Sequence, residues 1–543
     1  AAEPIVCDPV DVVWDEKGRM FVAEMRDYPL PPEPGPLLSR IRLLRDKDGD
    51  GRMDEAVTWA DELDHVQGLL PMQGGLLATT RTAILFLKDT DGDDKADVVQ
   101  PLYIRNEPGH NQLQVSCPRW GLDNAVYVNN GLDGKEIYPA DQPDQKLDFT
   151  RLNLRYDPRA KSLTTVSGAG QFGASLDDWG RRFFCSNRNP VMFAVMPLSA
   201  LQGNPFAGLT IGQEDIQEPG AAVWPINMSH TTSAAHAGTH TAACGLGVYT
   251  GDALPDLKGN LFVCDPTAQL VTRNRVVPNG ASFTADRVGD KKDFLVSADE
   301  WTRPVNVRNG PDGALYVCDM YRRFIDHARF FPEEFSKTNY MRAGFDHGRI
   351  WRLMPKGGKA RAIEALPEGT GDLVAELENP NGWQRIQAQR LIVDRQDQSA
   401  VAGLAKMLTG SQFPQARVHA LWTLQGLGAL TSGQVADALS DPESGVVENA
   451  IELAAAHFAG NADIDQAIRK LVDHSSTRVQ MLAAALWLGQ DQTAPALTDA
   501  YAASLKAHPD DLWLRRGILS ASTTRTGAIL AKLLGDNGFI GGE

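Results

Sequence analysis

The amino-acid sequence predicts an all-β six-bladed β-propeller followed by an α-helical HEAT-like solenoid. A hairpin pattern, in which a turn residue precedes an apolar strand with a polar end, recurs six times in the first 320 residues. Beyond this part the chain changes to Ala- and Leu-rich helical periodicity with a second repeat of about 31 residues. Two aspartate-rich loops in matching contexts begin 43 residues apart, which agrees with the spacing of neighbouring propeller blades.

The hairpin repeat defines the first predicted domain, residues 1–355. Most copies follow another apolar strand, so that one unit is an inner strand, a tight turn and a second strand. Six units spaced roughly 50 to 80 residues apart are typical of a six-bladed ring. The copies of the second strand are Lys17–Glu24, Gly74–Thr80, Asp123–Asn130, Trp179–Asn187, Lys258–Asp265 and Asp312–Asp319.

Residues 356–370 are predicted to be a linker, and residues 371–543 a domain of stacked helix pairs. A Pro- and Gly-rich segment at Pro355 ends the strand pattern. The period of the repeat that follows is typical of HEAT-like units. Its copies begin near Trp383, Gln415, Gly445 and Thr477, with a fifth expected at Leu514. The last residues show no capping helix, and we expect the natural chain to continue past residue 543.

Composition excludes several classes of partner. The net charge of -16 argues against nucleic acid and against anionic membranes. No apolar run reaches the ~20 residues that a membrane-spanning helix needs. The six cysteines form neither a CxxC nor a CxxCH motif, which argues against a zinc knuckle and against covalently bound c-type haem. An even cysteine count, together with the aspartate-rich loops, predicts a periplasmic or secreted protein; six buried free thiols are the alternative to disulfides.

The two aspartate-rich loops are predicted calcium sites. Each places carboxylates at loop positions 1, 3, 5 and 9 after an apolar strand, and hard oxygen ligands at this spacing suit calcium. Neither loop has the Glu at position 12 of an EF-hand, because Val57 and Gln100 occupy those positions. We therefore expect structural calcium in hairpin loops, with a solvated acidic turn as the alternative. The ligands are Asp46, Asp48, Asp50 and Asp54 in the first loop and Asp89, Asp91, Asp93 and Asp97 in the second.

Blade geometry predicts where a site would form. The loops that precede the inner strands and those that follow the second strands meet at one rim around the central channel. His65, His110 and Tyr321 are the candidate catalytic residues, as proton acceptors. The candidate residues for binding substrate or cofactor are Arg26, Arg81, Arg188, His236, His240, Asp265, Arg303, Asp319 and Arg322. Arginines at the rim can clamp an anion in a bidentate manner, and ion pairs between blades are the alternative.

A histidine-rich segment, Ser229–His240, offers a different chemistry. Neutral imidazoles bind transition metals well, so His230, His236 and His240 are a candidate metal site. Hydrogen bonding to substrate or cofactor and a purely structural use are the alternatives, since the spacing belongs to no defined helix or strand.

Several motifs resemble the planctomycete-type "membrane-bound dehydrogenase domain" family over about residues 5–355. They are Trp301-Thr-Arg-Pro, Gly310–Arg322, Gly348–Trp351, Trp120–Asp123, Leu176–Gly180 and His236–His240. The resemblance implies an exported, calcium-containing propeller similar to soluble quinoprotein sugar dehydrogenases, with pyrroloquinoline quinone (PQQ) as a candidate cofactor. Relatives of this kind commonly carry HEAT repeats and a cytochrome c domain. The absence of CxxCH departs from that layout and leaves the route of electrons open.

Three functions follow from these observations. The first is oxidation of a sugar or alcohol, in which His65 or His110 removes the hydroxyl proton. In this reaction Arg188 and Arg322 would bind the carboxylates of the quinone, and calcium would polarise its carbonyls. The second is a lyase or hydrolase for an acidic polysaccharide, in which a cation neutralises the uronate and a histidine or Tyr321 removes a proton. The third is a non-catalytic propeller that binds a glycan, with the helical repeats free for a protein partner.

Overall fold

The computed structural model describes residues 1–29, 35–105, 109–202, 211–227, 238–358, 361–487, 495–521 and 526–536. These residues form six antiparallel sheets, which are the blades of a β-propeller, followed by a C-terminal helical region. The predicted fold class is therefore confirmed.

Each blade is built from strands that are close in sequence. Blade 1 contains β1 (Pro9–Trp14), β2 (Met20–Glu24), β3 (Ser39–Arg45) and β4 (Glu55–Leu63). Blade 2 contains β5 (Gly68–Met72), β6 (Gly75–Thr79), β7 (Ala83–Lys88) and β8 (Val98–Ile104), extended at its edge by β11 (Glu136–Pro139) and β12 (Leu147–Asp148). Blade 3 contains β9 (Ser116–Trp120), β10 (Val126–Asn129), β13 (Asn153–Asp157) and β14 (Ser162–Val166).

The remaining three blades follow the same plan. Blade 4 contains β15 (Ala174–Leu176), β16 (Arg182–Ser186), β17 (Asn189–Ala194) and β18 (Gln213–Asp215). Blade 5 contains β19 (Cys244–Val248), β20 (Asn260–Asp265), β21 (Leu270–Asn279) and β22 (Ser282–Arg287), and β23 (Leu295–Val296) pairs with β21. Blade 6 contains β24 (Pro304–Asn309), β25 (Leu315–Asp319) and β26 (Arg349–Leu353).

The first two strands of every blade form the hairpin that the sequence predicts. The turn requires a left-handed backbone, which glycine adopts without a steric penalty: Gly74 has φ 71° and Gly313 has φ 78°. At Gly313 a β-carbon would also lie 2.0 Å from Oδ1 of Asp252, so a larger residue would displace that side chain as well as strain the turn. Along β2, β20 and β25 every residue is buried, as expected of apolar runs covered on both faces.

The N-terminal residues close the ring by completing blade 6. Ala2 forms a β-bridge with Arg349 of β26, and the backbone N–H of Ile350 donates to the carbonyl of Ala1 at 3.0 Å. Between blades 1 and 6, the fully buried guanidinium of Arg322 donates two hydrogen bonds to the carboxylate of Asp8. The first and last blades are therefore joined by both backbone and side-chain contacts.

Eleven α-helices form the C-terminal helical region within the described residues. They are α3 (Thr370–Glu376), α4 (Gly382–Arg395), α5 (Val401–Gly410), α6 (Pro414–Gly426), α7 (Ser432–Ala438), α8 (Ser444–His457), α9 (Ala462–Arg469), α10 (Thr477–Leu486), α11 (Pro495–Ala507), α12 (Leu512–Ala521) and α13 (Thr526–Leu534). The repeats found in the sequence are α4, α6, α8, α10 and α12, which pack against one another in that order. Two shorter helices, α1 (Leu198–Gln202) and α2 (Glu333–Thr338), belong to the propeller part of the chain.

The repeated helices dock on the hairpin turns of the propeller. The side-chain amide of Asn381, which caps α4, donates to the carbonyl of Gly310 at 3.0 Å. On α8, the amide of Asn449 donates to the carbonyl of Trp179 at 3.1 Å. A β-carbon at Gly445 would lie 2.3 Å from the Trp179 ring, so this helix approaches its blade as closely as glycine allows. The helical region therefore covers the end of the propeller that carries these turns.

Two further findings concern the predicted compartment and membrane association. All six cysteines are free thiols; Cys244 is partly buried and the other five are buried. Among the helices of the described residues, none has the length and apolar character needed to cross a bilayer.

The Asp8–Arg322 pair gives a test of ring closure. Replacing Arg322 with Met leaves the carboxylate of Asp8 buried without its cation, so we expect the free energy of unfolding at neutral pH to fall by about 3–5 kcal/mol. Chemical denaturation followed by tryptophan fluorescence measures this change. The matched control is Lys337→Met, which removes a cation from an exposed pair with Glu333 and should change stability by less than about 1 kcal/mol. Equal stability of the two variants would contradict the proposed role of the buried pair.

Candidate functional site

The rim predicted from the sequence exists as a structural feature. Each inner strand begins where the second strand of its blade ends, as shown by the cross-strand partners Pro9 and Glu24 in blade 1 and Pro304 and Asp319 in blade 6. The loops before the inner strands and after the second strands therefore gather at one end of the propeller. This end lies opposite the hairpin turns that the helical region covers.

A cavity of about 270 Å³ lies at the axis of this rim, and we call it the axial cavity. It is lined by neutral polar side chains from the rim loops, by aromatic rings and by nine aliphatic or sulfur-containing residues. The polar lining is Gln67, Asn111, Gln112, Gln171, Asn187, Thr241 and Thr267, and the aromatic lining is Tyr28, Phe172 and Phe330. Amides and hydroxyls offer both donors and acceptors, and aromatic faces provide apolar contact, so the lining suits an uncharged polyhydroxylated ligand.

Hydrogen bonds within the lining hold some of these groups in place. The amide of Gln112 donates to the hydroxyl of Tyr28, and the amide of Asn111 donates to the carbonyl of Pro29 at 2.9 Å. The amide of Gln67 contacts the sulfur of Met25 at 3.4 Å. The side of the cavity formed by blades 1 to 3 is therefore positioned by contacts between loops of different blades.

Asp326 is the one carboxylate among the described lining residues. It follows β25 in the long connection to β26, and none of the described residues donates a hydrogen bond to it. Burial raises the pKa of Asp326 to about 6, against the opposing charge of Arg303 and with a further upward contribution from Asp265. A carboxylate with this pKa is ionised at neutral pH yet more basic than an exposed one, which suits a general base.

An aspartate–histidine pair lies behind the blade 5 wall of the axial cavity. Nδ1 of His240 is 3.0 Å from Oδ2 of Asp265, and both side chains are fully buried. The hydroxyl of Thr267 donates to Asp265 at 2.6 Å and lies 2.8 Å from the hydroxyl of Thr241; both threonines line the cavity. Burial alone would raise the pKa of Asp265, but the hydrogen bond and charge of His240 hold it below the ordinary value.

A second pair of the same kind belongs to blade 2. Nδ1 of His65 is 2.9 Å from Oδ1 of Asp64, and Nε of Arg81 donates to the same carboxylate at 3.0 Å. His65 is buried, and its Nε2 has no hydrogen-bond partner within the described structure, as is also true of Nε2 of His240. His65 does not line the axial cavity; its neighbour Gln67 does.

Three other predicted binding residues are parts of the framework beneath the rim. The guanidinium of Arg303 donates to the carbonyls of residues 266, 322 and 323, and burial lowers its pKa to about 10. Arg322 is paired with Asp8, as described above. Asp319 accepts hydrogen bonds from the backbone N–H groups of Arg303 and Tyr321 and from the Trp351 indole. None of the three lines the axial cavity.

The remaining predicted rim residues lie outside the cavity wall. Nε2 of His110 contacts the guanidinium of Arg329, and the hydroxyl of Tyr321 donates to Asp299 at 2.7 Å. Arg188 is exposed and Arg26 is partly buried. His236 lies outside the described residues. The structure thus brings the predicted residues to one end of the propeller but places other side chains, Asp326 among them, against the cavity.

The two aspartate-rich loops connect β3 to β4 and β7 to β8, at the end of the blades opposite the rim. Carboxylate oxygens of Asp46, Asp48 and Asp50 lie within 4.8 Å of one another, and so do those of Asp89, Asp91 and Asp97. The hydrogen bonds within the two loops also correspond: the first aspartate of each accepts from the N–H groups three and five residues later. Asp54 accepts from the N–H of Lys47, and Asp93 from that of Lys95.

The two aspartate-rich loops differ in which of their predicted calcium ligands lie close together. An ion pair also joins one loop to the other. Asp54 is not grouped with the other carboxylates of the first loop, and Asp93 is not grouped with those of the second. Arg45, at the end of β3, pairs with Asp94 of the second loop and with Glu55. Within the described residues these two loops are the only clusters of three or more His, Cys, Asp or Glu at metal-binding distance. Most of the histidine-rich segment, including His230 and His236, lies outside those residues.

Comparison with known proteins gives one family and several distant structural likenesses. Residues 1–357 match a family described as Domain of unknown function (DUF7133). No curated protein is similar enough to match the chain.

Several of the solved structures that resemble the chain are described as sugar dehydrogenases. An oxidoreductase of Thermus thermophilus described as a glucose dehydrogenase is 17% identical, covers 65% of this chain and 99% of its own, and gives a TM-score of 0.38. The soluble aldose sugar dehydrogenase of Escherichia coli is 14% identical over 59% of this chain and 96% of its own, with a TM-score of 0.33. The PQQ-bound aldose sugar dehydrogenase of Streptomyces coelicolor is 12% identical over 65% and 98%, with a TM-score of 0.34. Likenesses at this level carry no assignment of activity.

The His240–Asp265 pair can be tested through stability. Because the folded protein lowers the pKa of Asp265, its contribution is present above the ordinary carboxyl value of 3.8 and is lost as the pH falls through the lower folded value. We expect Asp265→Asn to lower the free energy of unfolding at neutral pH by about 1–3 kcal/mol. Denaturant titrations at several pH values should show the difference from the parent protein shrinking below pH 3.8. The exposed Asp144→Asn is the control; a variant difference independent of pH would contradict a stabilising role for the ionised carboxylate of Asp265.

Proposed function

The chain belongs to the DUF7133 family, whose function is undefined, and we propose that its axial cavity binds one unit of an uncharged sugar or polyol, with Asp326 as the base that accepts a hydroxyl proton. The observation that carries this proposal is the lining of the cavity. Neutral amides and hydroxyls surround one basic carboxylate, and aromatic rings provide apolar faces. The reaction proposed is the oxidation of a sugar or alcohol.

The size of the cavity supports a small ligand. Pockets for small molecules commonly enclose ~300–1,000 Å³, so a volume of about 270 Å³ is slightly below that range. A single sugar ring, or the terminal ring of a longer neutral glycan, is the class of ligand that combines this size with many hydroxyl groups. Each hydroxyl can exchange hydrogen bonds with an amide such as Gln171 or Asn187, and a ring face can pack on Phe172.

Asp326 gives the chemistry that a binding protein would not need. When a hydroxyl-bearing carbon is oxidised, the oxygen loses its proton as the carbon gives up a hydride, so a base near the hydroxyl lowers the barrier. In the proposed reaction the proton goes to the carboxylate of Asp326, and the hydride goes to a two-electron acceptor. His65 and His110, which the sequence favoured for this role, do not line the cavity.

The axial cavity does not fit PQQ in the manner that the sequence predicted. A tricarboxylate quinone needs cations, and neither Arg nor Lys occurs among the described residues of the lining. Arg322, expected to bind the quinone carboxylates, is committed to Asp8, and Arg188 lies outside the cavity wall. The carboxylate of Asp326 would also repel the quinone. We therefore derive no step through PQQ and define the acceptor only as a redox group that takes a hydride; a c-type cytochrome, which carries one electron at a time, is a candidate only for reoxidising that group afterwards.

The absence of Arg and Lys from the described lining of the axial cavity also bears on the other two functions predicted from the sequence. A lyase for acidic polysaccharides needs a cation to neutralise the uronate, and the described lining supplies a carboxylate instead. A non-catalytic glycan-binding propeller agrees with the amide and aromatic lining but leaves the raised pKa of Asp326 without a role. Oxidation of a neutral sugar uses both features.

We also propose that the two aspartate-rich loops bind structural calcium. The loops already hold three carboxylates each at a distance that one cation could bridge, and calcium accepts six to eight oxygen ligands. Their position, remote from the axial cavity, gives calcium a part in stability and none in the reaction. Calcium binding and a sugar ligand both suit a periplasmic or secreted protein, which is the location we propose.

Asp326 provides the test of the reaction. We expect Asp326→Asn to lower the turnover of neutral sugars by about 10²–10⁴-fold, because the amide cannot accept the proton, while sugar binding changes little. The rate for the parent protein should rise with pH through about 6 as Asp326 ionises. Dye-coupled oxidation of a monosaccharide panel, with and without added quinone, and calorimetric binding measure these effects. The control is Asp346→Asn, which changes an exposed carboxylate in the same connection.

The outcomes distinguish the three functions. Sugar binding without turnover under any acceptor condition would leave a binding protein. An ultraviolet-absorbing unsaturated product from uronate polymers would establish the lyase instead. Neither binding nor turnover of any neutral sugar would overturn the proposal for the axial cavity.

Calcium removal provides a separate test. We expect the melting temperature to fall on chelation and to recover on adding calcium, because a ligand present at 100 times its dissociation constant stabilises the folded state by about 2.7 kcal/mol. Calorimetry should find two ions per chain. Asp48→Asn and Asp91→Asn should each remove one ion, whereas the exposed Asp144→Asn should remove none. Equal melting temperatures with and without chelator would contradict calcium at these loops.

A further inference from the structure

A second cavity of about 1170 Å³ lies between blades 3 and 4 and the helical region, and we call it the interface cavity. Strands of the propeller form one wall, and helices α6, α8 and α10 contribute to the other. It shares no lining residue with the axial cavity. Because both parts of the chain build it, it exists only when the helical region is docked.

The interface cavity is cationic although the protein is acidic. Five arginines and four carboxylates line it, an excess of one positive charge in a chain whose net charge is -16. These residues are Arg155, Arg159, Arg181, Arg182 and Arg478, and Asp123, Asp157, Glu448 and Glu452. A concave surface with this charge concentrates anions.

Four of the five guanidinium groups already donate to oxygen atoms of the protein. The acceptors are Asp123 for Arg155, Glu448 for both Arg181 and Arg478, and the carbonyl of Gly426 for Arg159. These four arginines therefore join the propeller and the helical region, or brace the cavity wall, and each has fewer N–H donors left for a ligand than an arginine without such contacts.

Arg182 differs from the other four. Its guanidinium carbon lies 4.9 Å from the centre of the Tyr127 ring, and its N–H groups make no hydrogen bond or ion pair with the described residues. Burial lowers its pKa, and the nearby Tyr127, Asp123 and Glu452 oppose this shift. Stacking on an aromatic face holds the guanidinium plane and leaves its N–H edge available, the arrangement in which arginine binds an oxyanion through two parallel hydrogen bonds.

Glu452, on α8, adds a titratable group to the same cavity. Its side chain is exposed to the space of the cavity, which is open on one side to solvent. Burial raises its pKa to about 7; the charge of Arg478 opposes this rise, the carboxylates of Asp123 and Glu448 add to it, and Arg182 opposes it. When protonated, Glu452 can donate a hydrogen bond to an anion; when ionised, it repels one.

We infer that the interface cavity is a second ligand site, which takes a small solute with a carboxylate or phosphate group and anchors that group on Arg182. The volume leaves room for a polar body of several rings beyond the anchored anion. A sugar acid and a sugar phosphate share this chemistry, and the experiment below separates them. The site is independent of the reaction proposed for the axial cavity.

Isothermal titration calorimetry of the full chain tests the site with three probes: sodium glucuronate, inorganic phosphate and glucose. We expect at least one anion to bind at one site per chain, and glucose, which the axial cavity is proposed to bind, not to compete with the anion for that site. Arg182→Gln should weaken anion binding by about tenfold or more, and Arg182→Lys should give an intermediate loss because it keeps the charge but not the paired donors. Glucuronate, whose own charge is the same at both pH values, should bind more tightly at pH 6 than at pH 8, since Glu452 titrates between them. Preference for glucuronate or for phosphate identifies the anionic group.

The matched control is Arg395→Gln, which removes an exposed arginine whose partner is the carbonyl of Glu368, outside this cavity. It should bind the anion as the parent does, and so should Asp326→Asn, which alters only the axial cavity. Thermal melting checks that the Arg182 variants remain folded. Equal binding by Arg182→Gln and the parent protein, or no binding of either anion, would overturn the inference.

Discussion

Closure of the propeller ring is the constraint on which the rest of this structure depends. The ring closes where residues at the N-terminus complete blade 6 and where the carboxylate of Asp8 meets the guanidinium of Arg322, both fully buried. A charge in such a place requires a partner, because an unpaired one costs several kcal/mol. The same requirement recurs around the rim, where Asp265 is paired with His240 and Asp64 with Arg81. Polar residues at the rim are thus used first to join loops and blades, and mainly neutral side chains remain to line the axial cavity.

The fold could be predicted from the sequence because its evidence is local. A turn residue followed by a short apolar run specifies a hairpin wherever it occurs, and six copies specify a ring. The helical repeat was visible for a similar reason, since α4, α6, α8, α10 and α12 present the same face to their neighbours. The site could be predicted only as far as the rim. Sequence position placed His65 and Arg303 at the correct end of the propeller but could not show that their polar atoms are directed to Asp64 and to backbone carbonyls.

Asp326 and Arg182 were missed for two different reasons. Asp326 lies in the long connection between β25 and β26, outside the strand–turn–strand pattern that recurs in the sequence, so no repeat drew attention to it. Arg182 is the first residue of β16, the second strand of blade 4. The second strands of the other blades begin with an apolar or neutral residue, so the sequence does reveal Arg182 as an exception. Its meaning depends on the helical region, however, because the surface in front of Arg182 becomes a cavity only when α8 and α10 dock. A property of two packed domains cannot be read from either one.

Helix α8 shows how one docking surface yields both a structural contact and a site. Glu448 and Glu452 are four residues apart and so lie on the same face of the helix. Burial would raise the pKa of both, but Glu448 lies between Arg181 and Arg478, which hold its pKa below the ordinary value. Both arginines are therefore already paired with Glu448. Glu452, one turn later, does not lie between two arginines and keeps a raised pKa. The ion pairs of Glu448 with Arg181 and Arg478, which join the two domains, therefore leave Glu452 beside them without a pair of its own. Because the axial cavity contains a carboxylate and the interface cavity an excess of arginine, the two cavities select ligands of different charge.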